Sequence, residues 1–317
     1  MQVAQLERFG EAPVAAQAPD PEPASGHTLV EVRMSALNPF DLRVAGGEFY
    51  IRPPLPYVPG SEGAGVVLHS DRWPAGTRVR FGASAPGGFA QRVLVPDDQL
   101  MEIPDEVPDA VAAALGVAGL AAWGGLDVGR FRSGERVLVL GASGAVGRLA
   151  LQAARIRNAS RVVGVGRDAK ALAELVGPQG ADAVVTLQQR DAADLAQAIT
   201  AAAGGPVDVV IDLLWGEPAL AGVMAAGTGA RLVCIGDAAG PTLALPAPLI
   251  RSRQIEVRGY TNLALSPEHQ RAALRSLFQH AAAGRIQLEH EVFPLDQIAT
   301  AWRRQAGSPH RKLLLQL

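Results

Sequence analysis

Three glycines spaced by three, Gly141, Gly144 and Gly147, stand between two apolar runs. The run before them, RVLVL at residues 136–140, is short and carries the β-branched Val137 and Val139, as a strand buried on both faces of a parallel sheet does. The run after them, VGRLALQAARIRN, repeats Val146, Leu149, Ala150, Ala153 and Ile156 at helical spacing. Strand, tight turn and helix in that order bring bare backbone close to a ligand, and the helix start offers unpaired N–H groups and a positive dipole end to an anion. The chemistry this predicts is the holding of a dinucleotide pyrophosphate. The candidate contacts are Gly141, Ser143, Gly144, Ala145, Val146 and Gly147, with Ser143 as a hydrogen-bond donor to a phosphate. Ser143 also sits as a nucleophile would on a strand-to-helix elbow, but that pattern needs glycine where this chain has Ala145.

The second strand, RVVGV, ends just before Gly166, nineteen residues after Gly147. An NAD enzyme places an acid there for the ribose hydroxyls. This chain has Gly166 followed by Arg167, with Lys170 close behind. Glycine leaves room for a 2′-phosphate and arginine can pair with it in a bidentate fashion, so NADPH is the expected cofactor. Two alternatives stay open: Arg167 and Lys170 as solvated charges at a helix start, and Asp168 as either helix cap or ribose ligand.

These residues need a scaffold, and the rest of the chain describes one. From about residue 110 to 250, apolar strands alternate with helical segments, which predicts a doubly wound parallel sheet in an α/β fold. Ligands on such sheets lie at the carboxyl ends of the strands, where DLLWG (212–216) and IGDAAG (235–240) stand. Leu214, Ile235 and Gly236 join the cofactor candidates on that ground. Residues 1–110 are short alternating runs split by Gly, Pro and Asp, which predicts a mostly β, partly barrel-like domain. Residues 251–317 return to mixed strands and rejoin it. Within the β-rich part, Asn38 can cap a short helix with Pro39 at its first position, running to Gly46-Gly47. A Pro- and Gly-rich loop follows with Phe49, Tyr50 and Tyr57, which either line a pocket or pack against the barrel. Glu62, at a strand start, reads as a structural hydrogen-bonding carboxylate.

Composition narrows the classes. The chain has 317 residues, 48% of them hydrophobic, and a formal net charge of −2, as an ordinary soluble globular protein has; nucleic acid is not an expected partner. The start, MQVAQLERFG, has no basic region followed by an apolar core, and a cytoplasmic location is the expectation. The uncharged stretch 110–126 reads as a buried helix and its turn. Cys234 is the single cysteine and the six histidines are scattered without ligand spacing, which excludes an internal disulfide and a cysteine-rich zinc site.

Four stretches in order resemble the medium-chain dehydrogenase/reductase superfamily, in its zinc-independent quinone oxidoreductase branch: ALNPFDLRVAGG, VPGSEGAGVV, GERVLVLGASGAVG and AAAGRIQLEHEVFPLDQIATAW. The resemblance covers nearly the whole chain. It implies a Rossmann domain together with a GroES-like catalytic domain, and an NADPH-dependent reductase of quinones or α,β-unsaturated carbonyls. In zinc-dependent relatives a cysteine and a histidine hold the catalytic metal at positions matching Asn38 and Ser61, and neither side chain here can replace them. The cysteine-rich structural zinc lobe is also missing between Asp71 and Gln91. The resemblance makes Asn38 and Tyr50 candidate donors to a developing oxyanion. Arg43 stands where related enzymes often have a substrate-facing tyrosine, and is a candidate for binding an anionic acceptor. It further implies a homodimer paired through an edge of the nucleotide-domain sheet near Thr242 to Pro246. Two other readings of the same scaffold are a non-catalytic NADPH-binding, redox-sensing module and an enoyl-thioester reductase.

Overall fold

The structure, a computed structural model, describes residues 1–47, 49–82, 87–188 and 191–317. Glu48 on the aromatic loop and residues 83–86, in the stretch where the zinc lobe is missing, lie outside the described residues. The chain divides into two compact units: Met1–Val117 with Leu265–Ala282 and Leu288–Leu317, and Ala118–Ala264 with Ala283–Gln287.

In the second unit six parallel strands lie in the order Ala183–Thr186, Arg161–Gly166, Arg136–Leu140, Val207–Asp212, Ala226–Cys234 and Glu256–Gly259. The chain builds outward from Arg136–Leu140 on one side, then crosses to Val207–Asp212 and builds outward on the other. That reversal makes the pair of strands a topological switch point. Val137, Leu138, Val139 and Leu140 are fully buried, as the unbroken apolar run requires. Helix Ala192–Ala203 shows how local sequence fixes the ends: Asp191 accepts from Asp194 N–H (2.8 Å) at the start, and Gly204 takes the left-handed conformation at the stop.

The strand Glu256–Gly259 differs from expectation. Placed by sequence in the returning segment 251–317, it instead pairs Arg231–Cys234 in parallel register and completes the nucleotide sheet, so the return begins at Leu265. As an edge strand it has one neighbour and keeps polar residues, with Val257 exposed, so its sequence lacks the apolar signature of the inner strands.

In the first unit the eleven-residue strand His27–Leu37 organises everything else. Its first half pairs with Arg92–Pro96, its middle with Glu62–His69, and its end with Lys312–Gln316, all antiparallel. Arg78–Gly82 and Met101–Glu102 extend the sheet beyond Glu62–His69, and His290–Pro294 lies parallel to Lys312–Gln316. Val30, Val32, Val67, Val79 and Phe81 from these strands pack together in one buried apolar cluster. The stretch expected as a buried helix is Asp109–Val128. By length and composition it could cross a membrane, yet 72% of its most apolar window is buried within the fold.

Candidate functional site: a nucleotide-binding turn and a buried polar cluster

In the nucleotide unit, Gly141 has φ 86°, where a side chain is strained, and a Cβ there would stand 3.2 Å from Leu213 Cβ and 3.3 Å from Leu214 Cδ2. Gly141 and Ala142 donate to Val165 O, both at 2.9 Å, which ties the turn to the neighbouring strand. Gly144 is the N-cap of helix Ala145–Ile156. A Cβ on Gly147 would lie 2.3 Å from Gly141 O, so only glycine lets the helix start this close to the strand. Gly166 comes to the same place from the next strand: a Cβ there would be 3.5 Å from Ser143 Oγ. Ile235 and Gly236 donate to Asp212 O at 2.8 and 3.3 Å, which joins the ends of the two strands beyond the switch point. The fold therefore gathers Gly141, Ser143, Gly144, Ala145, Val146, Gly147 and Gly166 at one turn, and sets Leu214, Ile235 and Gly236 on the adjoining strand ends.

Arg167 and Lys170 are exposed, and Arg167 makes no hydrogen bond or ion pair with the described residues. Asp168 is the helix cap, its carboxylate accepting from Lys170 N–H (2.9 Å) and Ala171 N–H (3.0 Å). Two supports escape sequence reasoning. Arg148 donates from Nε to Ser143 O at 3.2 Å and braces the turn from inside the helix. Asp212 accepts from Leu214 N–H and Trp215 N–H with one oxygen, while the other is buried without a partner among the described residues. Burial pushes its carboxyl up to about 6, against those two backbone bonds.

The first unit holds a buried polar cluster built from three distant segments. Asn38 is the N-cap of helix Pro39–Gly46, and Asp41 in its first turn accepts from Asn38 N–H at 2.8 Å. Asn38 Nδ2 donates to Glu62 Oε1 at 2.9 Å and lies within 3.4 Å of Ser61 Oγ and 3.3 Å of Ala36 O. Lys312 Nζ donates to Asn38 Oδ1 (2.5 Å) and to Glu62 Oε1 (3.1 Å). Arg80 donates to Glu62 Oε2 at 3.0 Å, and Val117 N–H donates to the same oxygen at 2.5 Å. Glu62 is fully buried, and Asn38, Asp41, Arg80 and Lys312 are nearly so. Burial alone would raise the Glu62 carboxyl, but Lys312 and Arg80, with the bonds from Asn38 and Val117, hold it below the usual carboxylate range. Glu62 is thus the structural carboxylate that its position suggested.

Asp41 goes the other way. Burial pushes its carboxyl up to about 7, aided by the Glu62 charge and opposed by the bonds from Asn38 N–H and Ser61 and by Lys312. A carboxyl raised from 3.8 in the unfolded chain to about 7 makes the folded state hold a proton that the unfolded state releases, so stability falls as pH rises through that window. The full shift corresponds to something on the order of 4 kcal/mol. Asp212, raised to about 6, acts in the same direction, whereas lowered Glu62 adds stability that is lost only as pH falls below its ordinary 4.5. Thermal melts are therefore expected to peak near pH 4, decline as pH rises to about 7 and level off above it, with Asp41→Asn flattening the decline; parallel profiles for the two proteins would refute this.

Of the three catalytic candidates, Asn38 alone belongs to the cluster. Tyr50 is 74% exposed and stacks on Phe49, with ring centroids 4.1 Å apart. Arg43 is exposed on helix Pro39–Gly46. The Tyr57 ring packs against the core and its backbone pairs with Leu6, while its hydroxyl is buried without a partner among the described residues. Sequence reasoning misses Asp41, Arg80 and Lys312. A signal exists for Lys312, the one charge in the leucine-rich ending KLLLQL.

A GroES-like fold combined with a doubly wound nucleotide fold defines a dehydrogenase/reductase class, and comparison with known proteins agrees. Residues 24–105 match the alcohol dehydrogenase GroES-like domain, and residues 179–311 match the zinc-binding dehydrogenase family model. The chain is 31% identical over 221 residues to the quinone oxidoreductase of Mus musculus, covering 68% of this chain and 66% of that one. It is 34% identical over 291 residues to a phenolphthiocerol/phthiocerol polyketide synthase of Mycobacterium tuberculosis, a match that spans 89% of this chain but only 13% of that much longer relative. A mycobacterial quinone oxidoreductase superposes with TM-score 0.89 at 23% identity, and the Thermus thermophilus quinone oxidoreductase, solved also in complex with NADPH, with TM-score 0.80 at 28%; each covers both chains completely. The chain belongs to the medium-chain dehydrogenase/reductase superfamily, in its quinone oxidoreductase branch.

Proposed function

We propose that this chain is an NADPH-dependent oxidoreductase that passes hydride to a quinone or an α,β-unsaturated carbonyl without zinc. The observation that carries the cofactor choice is the glycine turn with Gly166 beside Ser143 and with Arg167 exposed at the strand end, without a partner among the described residues. Space for a 2′-phosphate and a guanidinium to pair with it favour NADPH over NADH. The NADPH complex of the Thermus thermophilus relative supports the same choice.

Bound NADPH supplies the hydride; the protein's part is to hold the pyrophosphate at the helix start and to orient the acceptor. Zinc is left out of this reading on the chemistry of the donor set. Asn38 offers an amide and Ser61 a hydroxyl, and the ammonium of Lys312 already stands on Asn38 Oδ1, where its positive charge opposes a second cation. A homodimer formed through the exposed edge strand Glu256–Gly259 and the neighbouring residues 242–246 belongs to the same proposal.

Steady-state reduction of a panel of quinones and enones with NADPH tests the reading, and no turnover on any of them would overturn it. Within it, Arg167→Ala is expected to raise the KM for NADPH about tenfold, as loss of one charge-assisted phosphate contact does, while leaving that for NADH nearly unchanged. Equal effects on both cofactors would remove Arg167 from the phosphate site. A second reading, reduction of an α,β-unsaturated thioester, is favoured by the similarity to a polyketide synthase. Preference for a thioester over the free enone in the same panel would select it.

A further inference from the structure

Trp215 stands just past the carboxyl end of Val207–Asp212, the strand across the switch point from Arg136–Leu140, in a backbone conformation that its side chain opposes. Its φ is 58° and its ψ −164°, a region occupied almost only by glycine, and Gly216 follows at φ 60°. Gln254 is the contrast: at 52° and 42° it closes a helix in the ordinary left-handed conformation. Trp215 gives its own helix nothing in return. It is the N-cap of Gly216–Ala225, yet its side chain makes no capping hydrogen bond, and its indole N–H bonds to no described residue.

The neighbouring bonds hold the strain in place. Asp212 accepts from Leu214 N–H at 2.9 Å and from Trp215 N–H at 3.0 Å, and Ala239 N–H donates to Leu214 O at 2.7 Å. Leu213 and Leu214 stand against Gly141, so the strained residue directly follows the two that border the nucleotide turn. The ring itself is half-buried, packed on the core of the nucleotide unit, with the rest of its surface open. Glycine would take this conformation without cost, and the helix would start equally well from it. A bulky residue held here by its surroundings is the kind of strain that collects at ligand clamps.

We infer that Trp215 is a cofactor-contacting residue whose indole packs against the nicotinamide half of bound NADPH. The inference rests on the NADPH reading and extends it. In a doubly wound sheet the dinucleotide lies across the carboxyl ends of the strands at the switch point. Its 2′-phosphate end belongs to Gly166 and Arg167, on one side of Arg136–Leu140. The other half then falls on the opposite side, over Val207–Asp212, where Trp215 presents an aromatic face. Such a face also attracts the positive charge that the nicotinamide ring gains once its hydride has left.

The test is titration of the protein with NADPH, followed by the cofactor's own emission, and with adenosine 2′,5′-bisphosphate, which lacks the nicotinamide half, followed by calorimetry. Trp215→Ala and Trp215→Gly are expected to raise the Kd for NADPH about tenfold, as loss of one stacked ring does, and to leave that for the bisphosphate within about twofold. Trp215→Phe restores most of the NADPH affinity, and Trp215→Gly melts above Trp215→Ala because glycine suits the backbone. Unchanged NADPH affinity in the Ala and Gly variants overturns the inference, and so does an equal loss for both ligands, which would mark a merely distorted turn. If those two variants do not fold, sensitised emission of bound NADPH on indole excitation decides: it falls by about half or more in Trp215→Phe, and an unchanged signal overturns the contact. Wild-type protein that binds neither ligand overturns the NADPH reading beneath it.

Discussion

Gly147→Ala is expected to weaken NADPH binding by about two orders of magnitude, close to about 2.8 kcal/mol. The added methyl would stand 2.3 Å from Gly141 O and 2.7 Å from Ala142 Cα, both backbone atoms of the turn itself. No side chain can swing away to relieve the contact. Either the helix start backs off the strand or the turn opens, and in both cases the N–H groups no longer converge on one phosphate. Gly144→Ala is the matched comparison, because its Cβ would meet nothing closer than 3.6 Å and its φ is −74°. Its melting temperature is expected to stay within a few degrees of wild type while that of Gly147→Ala drops further. Fluorescence titration with NADPH, alongside melts of both variants, measures this. Full affinity in Gly147→Ala would show that the turn is not the phosphate site.

The second large effect lies in the β-rich unit. Gly116 is in the middle of helix Asp109–Val128, and a Cβ on it would fall 1.8 Å from Glu62 Oε2 and 2.3 Å from an Arg80 guanidinium nitrogen. Gly116→Ala therefore displaces a buried carboxylate from the cations and N–H groups that satisfy it, at an expected cost of about 3–5 kcal/mol. Glu62→Gln should cost about as much alone, since it strands Arg80 and Lys312 without their counter-charge. The two are expected to be strongly non-additive, because once the methyl has dislodged the carboxylate there is little left for the second change to remove. Denaturant melts of both singles and the double variant measure the coupling. Additive costs would mean that the helix shifts to admit the methyl while the ion pair stays whole.

What can be read from the sequence is local. The run RVLVL, the glycines after it and the helical repeat from Val146 to Ile156 are contiguous, so the nucleotide turn is legible without any coordinates. Asp191 and Gly204 bracket a helix for the same reason. The edge strand Glu256–Gly259 falls on the wrong side of the expected boundary because one-sided pairing lets a strand keep charges, and EVRG carries no mark of which sheet it joins. The polar cluster is illegible for a different reason. Asn38 and Lys312 are 274 residues apart, and no period or spacing links them until the strand Lys312–Gln316 lies beside His27–Leu37. Tyr50 shows the converse: an aromatic in a proline-rich loop invites a functional role, yet its local sequence does not reveal that its ring is mostly in solvent.

The sharing of strand His27–Leu37 among three partners also sets an order of events in folding. The nucleotide unit is nearly continuous, Ala118–Ala264, and can close around its own parallel sheet as soon as that length of chain exists. The β-rich unit cannot, because its sheet and its charge balance both wait for Lys312–Gln316. Until that strand docks, Glu62 has one cation instead of two and Asn38 Oδ1 lacks its donor, so the unit's interior is electrostatically unfinished. Contacts across so much sequence are slow to form. The last strand is thus the latch of the unit, and the buried cluster around Glu62 comes into being only when it engages.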